Sequence, residues 1–287
     1  MPKIDCKPIR EKILKEVKDE IDYLGAKPTL AIISCSNDEA SVLYMRNKIK
    51  TCESVGINVT HYNLVPKDTD TDDVCELVDN CGRNFTSIIV QLPLAGHIDS
   101  ERVLSCIPTL CDVDGLTDAN TVKLIKKDED AIVPCTPLAV LKIIEYAKGN
   151  DDLSFLDVQI LSRSRLIGKP LAQLLLNHNA TIHQFHSLSP TFHYLMPDMD
   201  IVVSGIGSPY KVNTYYSREG TIFIDCGISF DENGKILRDV DYKEKDKVDY
   251  YYNVGVVTTS VVAYNVLKCW KLQKGRELNE KNQWTRS

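Results

Sequence analysis

Asp157-Val158-Gln159-Ile160-Leu161-Ser162, then Arg163-Ser164-Arg165-Leu166-Ile167-Gly168, then Lys169 to Asn177 and Ala180-Thr181-Ile182-His183-Gln184-Phe185-His186-Ser187: this stretch decides the fold. The first run is short and apolar and reads as a buried strand, the second as a polar loop, residues 169–177 as an apolar-faced helix, and 180–187 as a second strand. Strand, loop, helix and strand within about thirty residues outline a nucleotide-binding βαβ unit. Only Gly168 of a glycine fingerprint is present, so the loop is not the usual Gly-x-Gly-x-x-Gly. Two more strand-like runs, Ile201-Val202-Val203-Ser204 before Gly205-Ile206-Gly207 and Thr221 to Cys226 before Gly227, continue the pattern.

The pattern begins after Gly149-Asn150-Asp151-Asp152, which reads as a boundary between domains. Upstream, residues 7–24 carry Ile9, Ile13, Leu14, Val17, Ile21 and Leu24 on one helical side. Strands are expected at Thr29–Ser34, Asn58–Leu64 and Ser87–Leu92, with helices over Ala40-Ser41-Val42-Leu43-Tyr44-Met45-Arg46-Asn47-Lys48 and over Asp72 to Asn80. The expected fold is therefore α/β with two domains: a three-layer α/β domain with a mostly parallel sheet at 1–140, and a Rossmann-type domain at 141–259. A C-terminal helix at 260–287 would pack back on the first. Ligands of such sheets lie outside the carboxyl ends of the strands, where Ser41 and Gln91 fall.

Composition narrows the function classes. With 287 residues, 43% hydrophobic and 26% charged, the chain suits two globular domains. A net charge of -6 repels phosphate backbones, so nucleic acid is not expected as a partner. No run suits a signal peptide or a bilayer span, and the expectation is a soluble cytoplasmic protein with no membrane partner. The ten cysteines are scattered without a Cys-x-x-Cys pair, so they read as reduced and mostly buried, and no metal signature is found among them or the six histidines.

Several short stretches carry chemistry. Tyr44 and Lys48 share a helical face, so a phenol can stack on a planar ligand while an ammonium reaches a reacting atom, and desolvation can tune such a lysine for acid–base work; the alternative is a packed tyrosine beside a solvated lysine. Gln91-Leu92-Pro93-Leu94 ends a strand in a proline turn that fixes the glutamine, or is only a turn. Cys111-Asp112-Val113-Asp114-Gly115-Leu116-Thr117 places two carboxylates before a glycine; it lacks the further ligands of a calcium loop, and a carboxylate accepting from the ring nitrogens of a ligand is the better reading. Pro134-Cys135-Thr136-Pro137 brackets a helix start and reads as a hinge or wall. At His186-Ser187, where an NAD enzyme carries an acid for the ribose hydroxyls, there is none; with Arg163 and Arg165 upstream the site suits the 2′-phosphate of NADP, unless the arginines are surface charges.

In their order and spacing, Ser41-x-x-Tyr44-x-x-x-Lys48, Val90-Gln91-Leu92-Pro93-Leu94, Asp112-Val113-Asp114-Gly115, Pro134-Cys135-Thr136-Pro137, Arg163-Ser164 with Gly168, and Ala180-Thr181 to His186-Ser187 resemble the bifunctional methylenetetrahydrofolate dehydrogenase/methenyltetrahydrofolate cyclohydrolases, from about residue 8 to about 265. The resemblance implies a homodimer of two-domain subunits with folate held in a cleft between the domains. It implies oxidation of 5,10-methylenetetrahydrofolate with NADP and hydration of the product to 10-formyltetrahydrofolate, in one-carbon metabolism and purine biosynthesis. By position Lys48, Tyr44, Gln91 and Asp114 would be catalytic: Lys48 the catalytic lysine, Tyr44 the folate stack, Gln91 the partner that poises the lysine, and Asp114 the pterin anchor. Ser41, Pro93 and Gly255 would join Tyr44 and Asp114 on the substrate. Ser162, Arg163, Ser164, Gly168, His186, Ser187, Gly205 and Thr136 would bind the cofactor, with Arg163 and Ser187 on the 2′-phosphate.

The chain departs from the family in two places. Ser162 stands where the family has the glycine of a Gly-Arg-Ser loop, and Tyr252-Asn253-Val254-Gly255-Val256-Val257-Thr258 stands where it has Pro-Gly-Gly-Val-Gly-Pro-Met-Thr. Two alternatives therefore stay open beside the bifunctional enzyme: a cyclohydrolase with weak or lost dehydrogenase activity, and a non-catalytic folate or nucleotide binder. A short-chain dehydrogenase, which also uses Tyr-x-x-x-Lys, is excluded because its nucleotide loop precedes that motif.

Overall fold

Short apolar runs become parallel strands in this chain, and the amphipathic segments between them become helices. The computed structural model describes residues 3–36, 39–189, 191–232, 236–243 and 247–284, with the backbone alone described at 39–44, 230 and 276–284. In order the elements are β1 (Lys3–Asp5), α1 (Lys7–Leu24), β2 (Thr29–Ser34), α2 (Glu39–Glu53), β3 (Asn58–Asn63), α3 (Thr71–Asn84), β4 (Ser87–Gln91), α4 (Ser100–Ser105), α5 (Asp118–Ile125) and α6 (Cys135–Lys148). There follow β5 (Asp157–Leu161), α7 (Gly168–Asn177), β6 (Thr181–Phe185), β7 (Ile201–Ser204), β8 (Val212–Asn213), β9 (Ile222–Asp225), β10 (Ser229–Phe230), β11 (Ile236–Leu237), β12 (Val240–Asp241), β13 (Asp249–Tyr252) and α8 (Val254–Trp284).

The chain divides into two compact units, one of residues 12–135 with 259–287 and one of residues 1–11 with 136–258. The sequence reading divided it instead at 140/141 and 259/260 and kept the N-terminus with the first domain. The first eleven residues group otherwise because β1, too short to show a period, pairs in parallel with β13, Lys3 opposite Tyr250 and Asp5 opposite Tyr252.

In the 12–135 unit three parallel strands lie in the order β3-β2-β4. The central strand β2 and the edge strand β4 are buried almost throughout, and Ile33, Val74, Val78, Ile88, Val90, Val103 and Ile107 share one core. Helix α3 opens on a capping box in which Asp70 and Asp73 each accept the other's amide at 2.9 Å, and it runs four residues beyond the expected end at Asn80. Beyond β4 the chain returns alongside it: the Ile88 amide donates to the Cys111 carbonyl at 2.7 Å, and Asp112 bridges Ile88 in parallel. That return carries residues 111–115 along the edge towards the carboxyl end of the sheet. The later turns of α8 belong to this unit, with Gln273 donating to the carbonyls of Thr86 and Leu110 at 2.7 and 3.1 Å.

In the 136–258 unit six strands, paired in parallel throughout, run in the order β1-β13-β9-β7-β5-β6. The chain goes from β5 through α7 to β6 on one side and then back to β7 on the other, so the strand order reverses at β5. Such a reversal is the switch point beside which open α/β sheets hold nucleotides. Leu161, Val202, Phe223, Val248 and Tyr250 form the core on one face.

The segment Tyr252 to Thr258, expected as a loop, is instead the end of β13, a single left-handed residue (Asn253, φ 62°) and the first turn of α8. Its β-branched residues disfavour a helix by propensity, but Val257, Val261 and Val262 are buried at helical spacing, and burial outweighs the few tenths of a kcal/mol per residue that propensity costs.

Candidate active site

The inward face of α2 carries Met45, Lys48 and Cys52, three or four residues apart and all buried. An ammonium at 5% exposure between two apolar neighbours needs acceptors, and β4 supplies one. Lys48 Nζ donates to Gln91 Oε1 at 3.0 Å, and Gln91 Nε2 donates to the Leu92 carbonyl at 2.8 Å, which turns the amide so that its oxygen faces the lysine. Asp114 Oδ2 lies 4.0 Å from the ammonium, with its side chain 24% exposed. Lysine, glutamine and aspartate thus converge from α2, β4 and the returning segment, as the sequence reading grouped them. Pro93 follows directly, exposed, behind a cis Leu92–Pro93 bond. Ser41 and Tyr44 lie on α2 upstream of Lys48, and their side chains fall outside the described residues.

The two carboxylates of the Asp-Val-Asp-Gly stretch part company. Asp112 is fully buried and accepts from the Leu116 amide at 3.2 Å, the Thr117 amide at 2.8 Å and Asn120 Nδ2 at 2.9 Å. Burial pushes its carboxyl above the usual range, and those bonds pull it back. Asp112 shapes the turn; Asp114 is the one a ligand can reach. The turn also requires Gly115, whose φ is 62° and where a Cβ would stand 2.3 Å from the Ile132 carbonyl oxygen.

Sequence reasoning passed over two supports of Asp114. Asn265 of α8, fully buried, donates through Nδ2 to the carbonyls of Val113 and Val133 at 2.8 and 2.9 Å, fixing the residue before Asp114. Cys135 Sγ donates to the same Val113 carbonyl at 3.5 Å, and burial pushes its thiol well above the ordinary range, with Asp114 adding to the shift. The one signal for Asn265 was an amide inside the apolar run Val261 to Leu267.

In the other unit, Leu161 at the end of β5 pairs with Phe185 of β6 and Ser204 of β7, so Ser162, His186 and Gly205 leave the sheet side by side at its carboxyl edge. The loop after β5 folds on itself: Ser164 Oγ accepts from the amides of Ile167 and Gly168 at 3.1 and 3.4 Å, and Gln184 Nε2 holds the Ser162 carbonyl at 2.8 Å. A Cβ on Gly168 would stand 2.2 Å from that carbonyl oxygen, so the start of α7 can approach β5 only as glycine. The Ser162 side chain is buried, accepts from the Ser164 amide at 3.3 Å and packs towards Gly205, so replacing the family's glycine adds no exposed group to the loop. Arg163, Ser164, His186 and Ser187 are exposed, and no acid stands at the end of β6. Thr136 and Gly255 sit on other elements, in the first turns of α6 and α8.

These features fit a phosphorylated dinucleotide: a switch point, a loop closed against its strand by glycine, a neutral hydroxyl at the positive end of α7, and arginine without a competing acid. Among the described residues no cluster suited to a metal ion occurs.

Residues 4–114 match the family model described as tetrahydrofolate dehydrogenase/cyclohydrolase, catalytic domain, and residues 134–274 the one described as tetrahydrofolate dehydrogenase/cyclohydrolase, NAD(P)-binding domain. The bifunctional protein FolD of Rickettsia bellii is 36% identical over 280 residues, 94% of this chain and 98% of the relative. Among solved structures, the bifunctional methylenetetrahydrofolate dehydrogenase/cyclohydrolase of Campylobacter jejuni superposes with a TM-score of 0.88 at 30% identity, covering 95% of this chain and 100% of that one. The dehydrogenase-cyclohydrolase of Trypanosoma brucei, complexed with NADP cofactor and inhibitor, superposes with a TM-score of 0.87 at 29% identity, covering 95% and 99%.

Proposed function

This chain belongs to the tetrahydrofolate dehydrogenase/cyclohydrolase family, and from that premise we propose that it oxidises 5,10-methylenetetrahydrofolate to the 5,10-methenyl form with NADP and hydrolyses that product to 10-formyltetrahydrofolate. The observation that carries the reading is the buried Lys48 ammonium, bonded to Gln91 Oε1 at 3.0 Å with Asp114 at 4.0 Å. Addition of water to a methenyl cation needs a group that handles the proton of the attacking water, and a lysine fixed by a glutamine carbonyl is such a group. Gln91 keeps the ammonium in place. Asp114, the half-buried member of its pair, accepts from the ring nitrogens of the pterin. Tyr44 and Ser41 join the substrate by family position, as do Pro93 and Gly255. In this reading the 12–135 unit carries the folate chemistry and the 136–258 unit the cofactor.

Bound NADP supplies the hydride acceptor. This chain's own residues hold it: Arg163 and Ser187 the 2′-phosphate, Ser164 and the start of α7 the pyrophosphate, with Gly168, Ser162, His186 and Gly205 shaping the edge and Thr136 completing the set. The buried side chain of Ser162 supports retention of the dehydrogenase over a cyclohydrolase that has lost it. The reading includes a cytoplasmic homodimer joined through the 136–258 unit, and sedimentation as a 32.3 kDa monomer at micromolar concentration counts against that part. Among the described residues no helix is long and apolar enough to cross a membrane.

The experiment is an ultraviolet assay of methenyltetrahydrofolate with NADP, with NAD and with neither. Formation from the methylene substrate with NADP, and accelerated decay of added methenyl substrate without nucleotide, are expected. No formation refutes the dehydrogenase, and decay at the uncatalysed rate refutes the cyclohydrolase.

A further inference from the structure

The loop after β7 is held by a carboxylate from a distant part of the same unit. Asp239, between β11 and β12 and fully buried, accepts from the amides of Ile206 at 2.7 Å, Gly207 at 3.2 Å and Ser208 at 2.9 Å, and from the Ser204 hydroxyl at 2.8 Å. Three successive amides turned inward form a concavity of the kind that in nucleotide folds takes a phosphate, and Gly207 makes the turn possible with φ 72°. Here the chain's own carboxylate fills it. Asp239 reaches the loop only because residue 227 is glycine: a Cβ there would lie 2.0 to 2.2 Å from the carboxyl group.

The two loops that flank the switch point therefore differ in charge. The loop after β5 closes its amides on the neutral Ser164 hydroxyl and leaves the positive end of α7 to an anion, whereas the loop after β7 has its amides neutralised and repels one. Gly205 nonetheless packs towards Ser162, so the β7 loop borders the same crevice, with Ile206 38% exposed upon it. We propose that Asp239 is a positioning residue for the dinucleotide: it fixes the β7 loop as a rigid, phosphate-free wall, so that the pyrophosphate has one place to bind and the rest of the cofactor an apolar face to lie on. This rests on the assignment of the nucleotide to the 136–258 unit.

The test uses the full chain and three substitutions. Asp239→Asn turns an amide nitrogen or a weaker oxygen on the loop, Gly227→Ala displaces the carboxylate without altering it, and Ser204→Ala removes a single bond and keeps the fold testable if the others fail to express. In the first two, NADP affinity by calorimetry and the dehydrogenase KM for NADP should weaken by about tenfold or more, as loss of charge-assisted bonds implies, with a few-fold effect in the third. The nucleotide-free cyclohydrolase should keep its kcat and KM. Unchanged NADP affinity in all three overturns the proposal, as does a parallel loss of both activities, which marks general structural support. Wild-type protein that binds NADP without oxidising substrate refutes the dehydrogenase reading alone, and the comparison of affinities then decides this one.

Discussion

Replacing Lys48 by methionine separates the two proposed activities. At 4.0 Å and an effective dielectric constant of about 20, the attraction between Lys48 and Asp114 is on the order of 4 kcal/mol, but desolvation of the buried ammonium opposes most of it. Methionine nearly fills the vacated volume, so the main structural cost is a Gln91 oxygen left without its donor, about 1–3 kcal/mol. A domain stable by about 5–15 kcal/mol stays folded at 25 °C after such a loss. The chemical effect is larger: a positioned acid–base group is worth roughly 10²–10⁴ in rate, or about 3–5 kcal/mol of barrier. Cyclohydrolase activity in Lys48→Met should therefore fall at least a hundredfold in protein that is still folded. The dehydrogenase should fall less, because hydride transfer passes no proton through the lysine and Asp114 keeps its supports from Asn265 and Cys135. The assay follows methenyltetrahydrofolate decay and NADPH formation separately, with circular dichroism to establish that the variant is folded. Full hydrolysis by the variant would remove Lys48 from the chemistry and leave its bond to Gln91 as packing.

Arg163→Ala should weaken NADP by about ten- to a hundredfold and NAD hardly at all, the worth of a charged hydrogen bond to the 2′-phosphate; equal loss for both nucleotides, measured by titration, would refute the assignment. Gly115→Ala forces a left-handed alanine whose Cβ stands 2.3 Å from a carbonyl oxygen, so a loss of at least about 2–3 kcal/mol is expected, seen as a fall in Tm of roughly 5–10 °C and as loss of cyclohydrolase activity; a wild-type melting curve would contradict the turn described for Asp112 to Gly115. Burial pushes the Cys52 thiol to about 12 and Cys135 well above its ordinary value, so at pH 8 about one Cys52 in ten thousand is a thiolate. Iodoacetamide should spare both in the native protein and label all ten cysteines after denaturation, and peptide mapping that finds either modified at the rate of a free thiol would refute their burial.

The central strands of both sheets were legible as short apolar runs bounded by turn residues, and β2, β5 and β7 fall where the pattern put them, whereas β1 and β13, a three-residue strand and a tyrosine-rich one, were not read as strands. Lys48, Gln91 and Asp114 were legible as a set only through their order in the chain, since nothing local joins residues 43 positions apart. Asp112 and Asp114 could not be told apart, because which of two like carboxylates turns inward is decided by the amides of Leu116 and Thr117 and by Asn120. Asn265 and Asp239 were invisible for a related reason: each acts on a loop far away in sequence, and a buried amide or acid carries no mark of its partner. The start of α8 was expected as a loop from the family's glycine- and proline-rich pattern at Tyr252 to Thr258, whereas this chain's Val254 and Val257 there are buried on a helix.

The pairing of β1 with β13 joins Lys3 to Tyr250, almost the whole length of the chain apart. On the ribosome β13 follows β1 by roughly 12 to 50 s at about 5–20 residues per second, the time taken to add the residues between them. Until then the strand beside β9 is missing from the growing sheet, and the tyrosine-rich Asp249–Tyr252, once made, has an open flank until β1 docks on it. Removal of Lys3 to Asp5 would thus leave the flank of β13 uncovered in the 136–258 unit, an edge open to pairing with another chain.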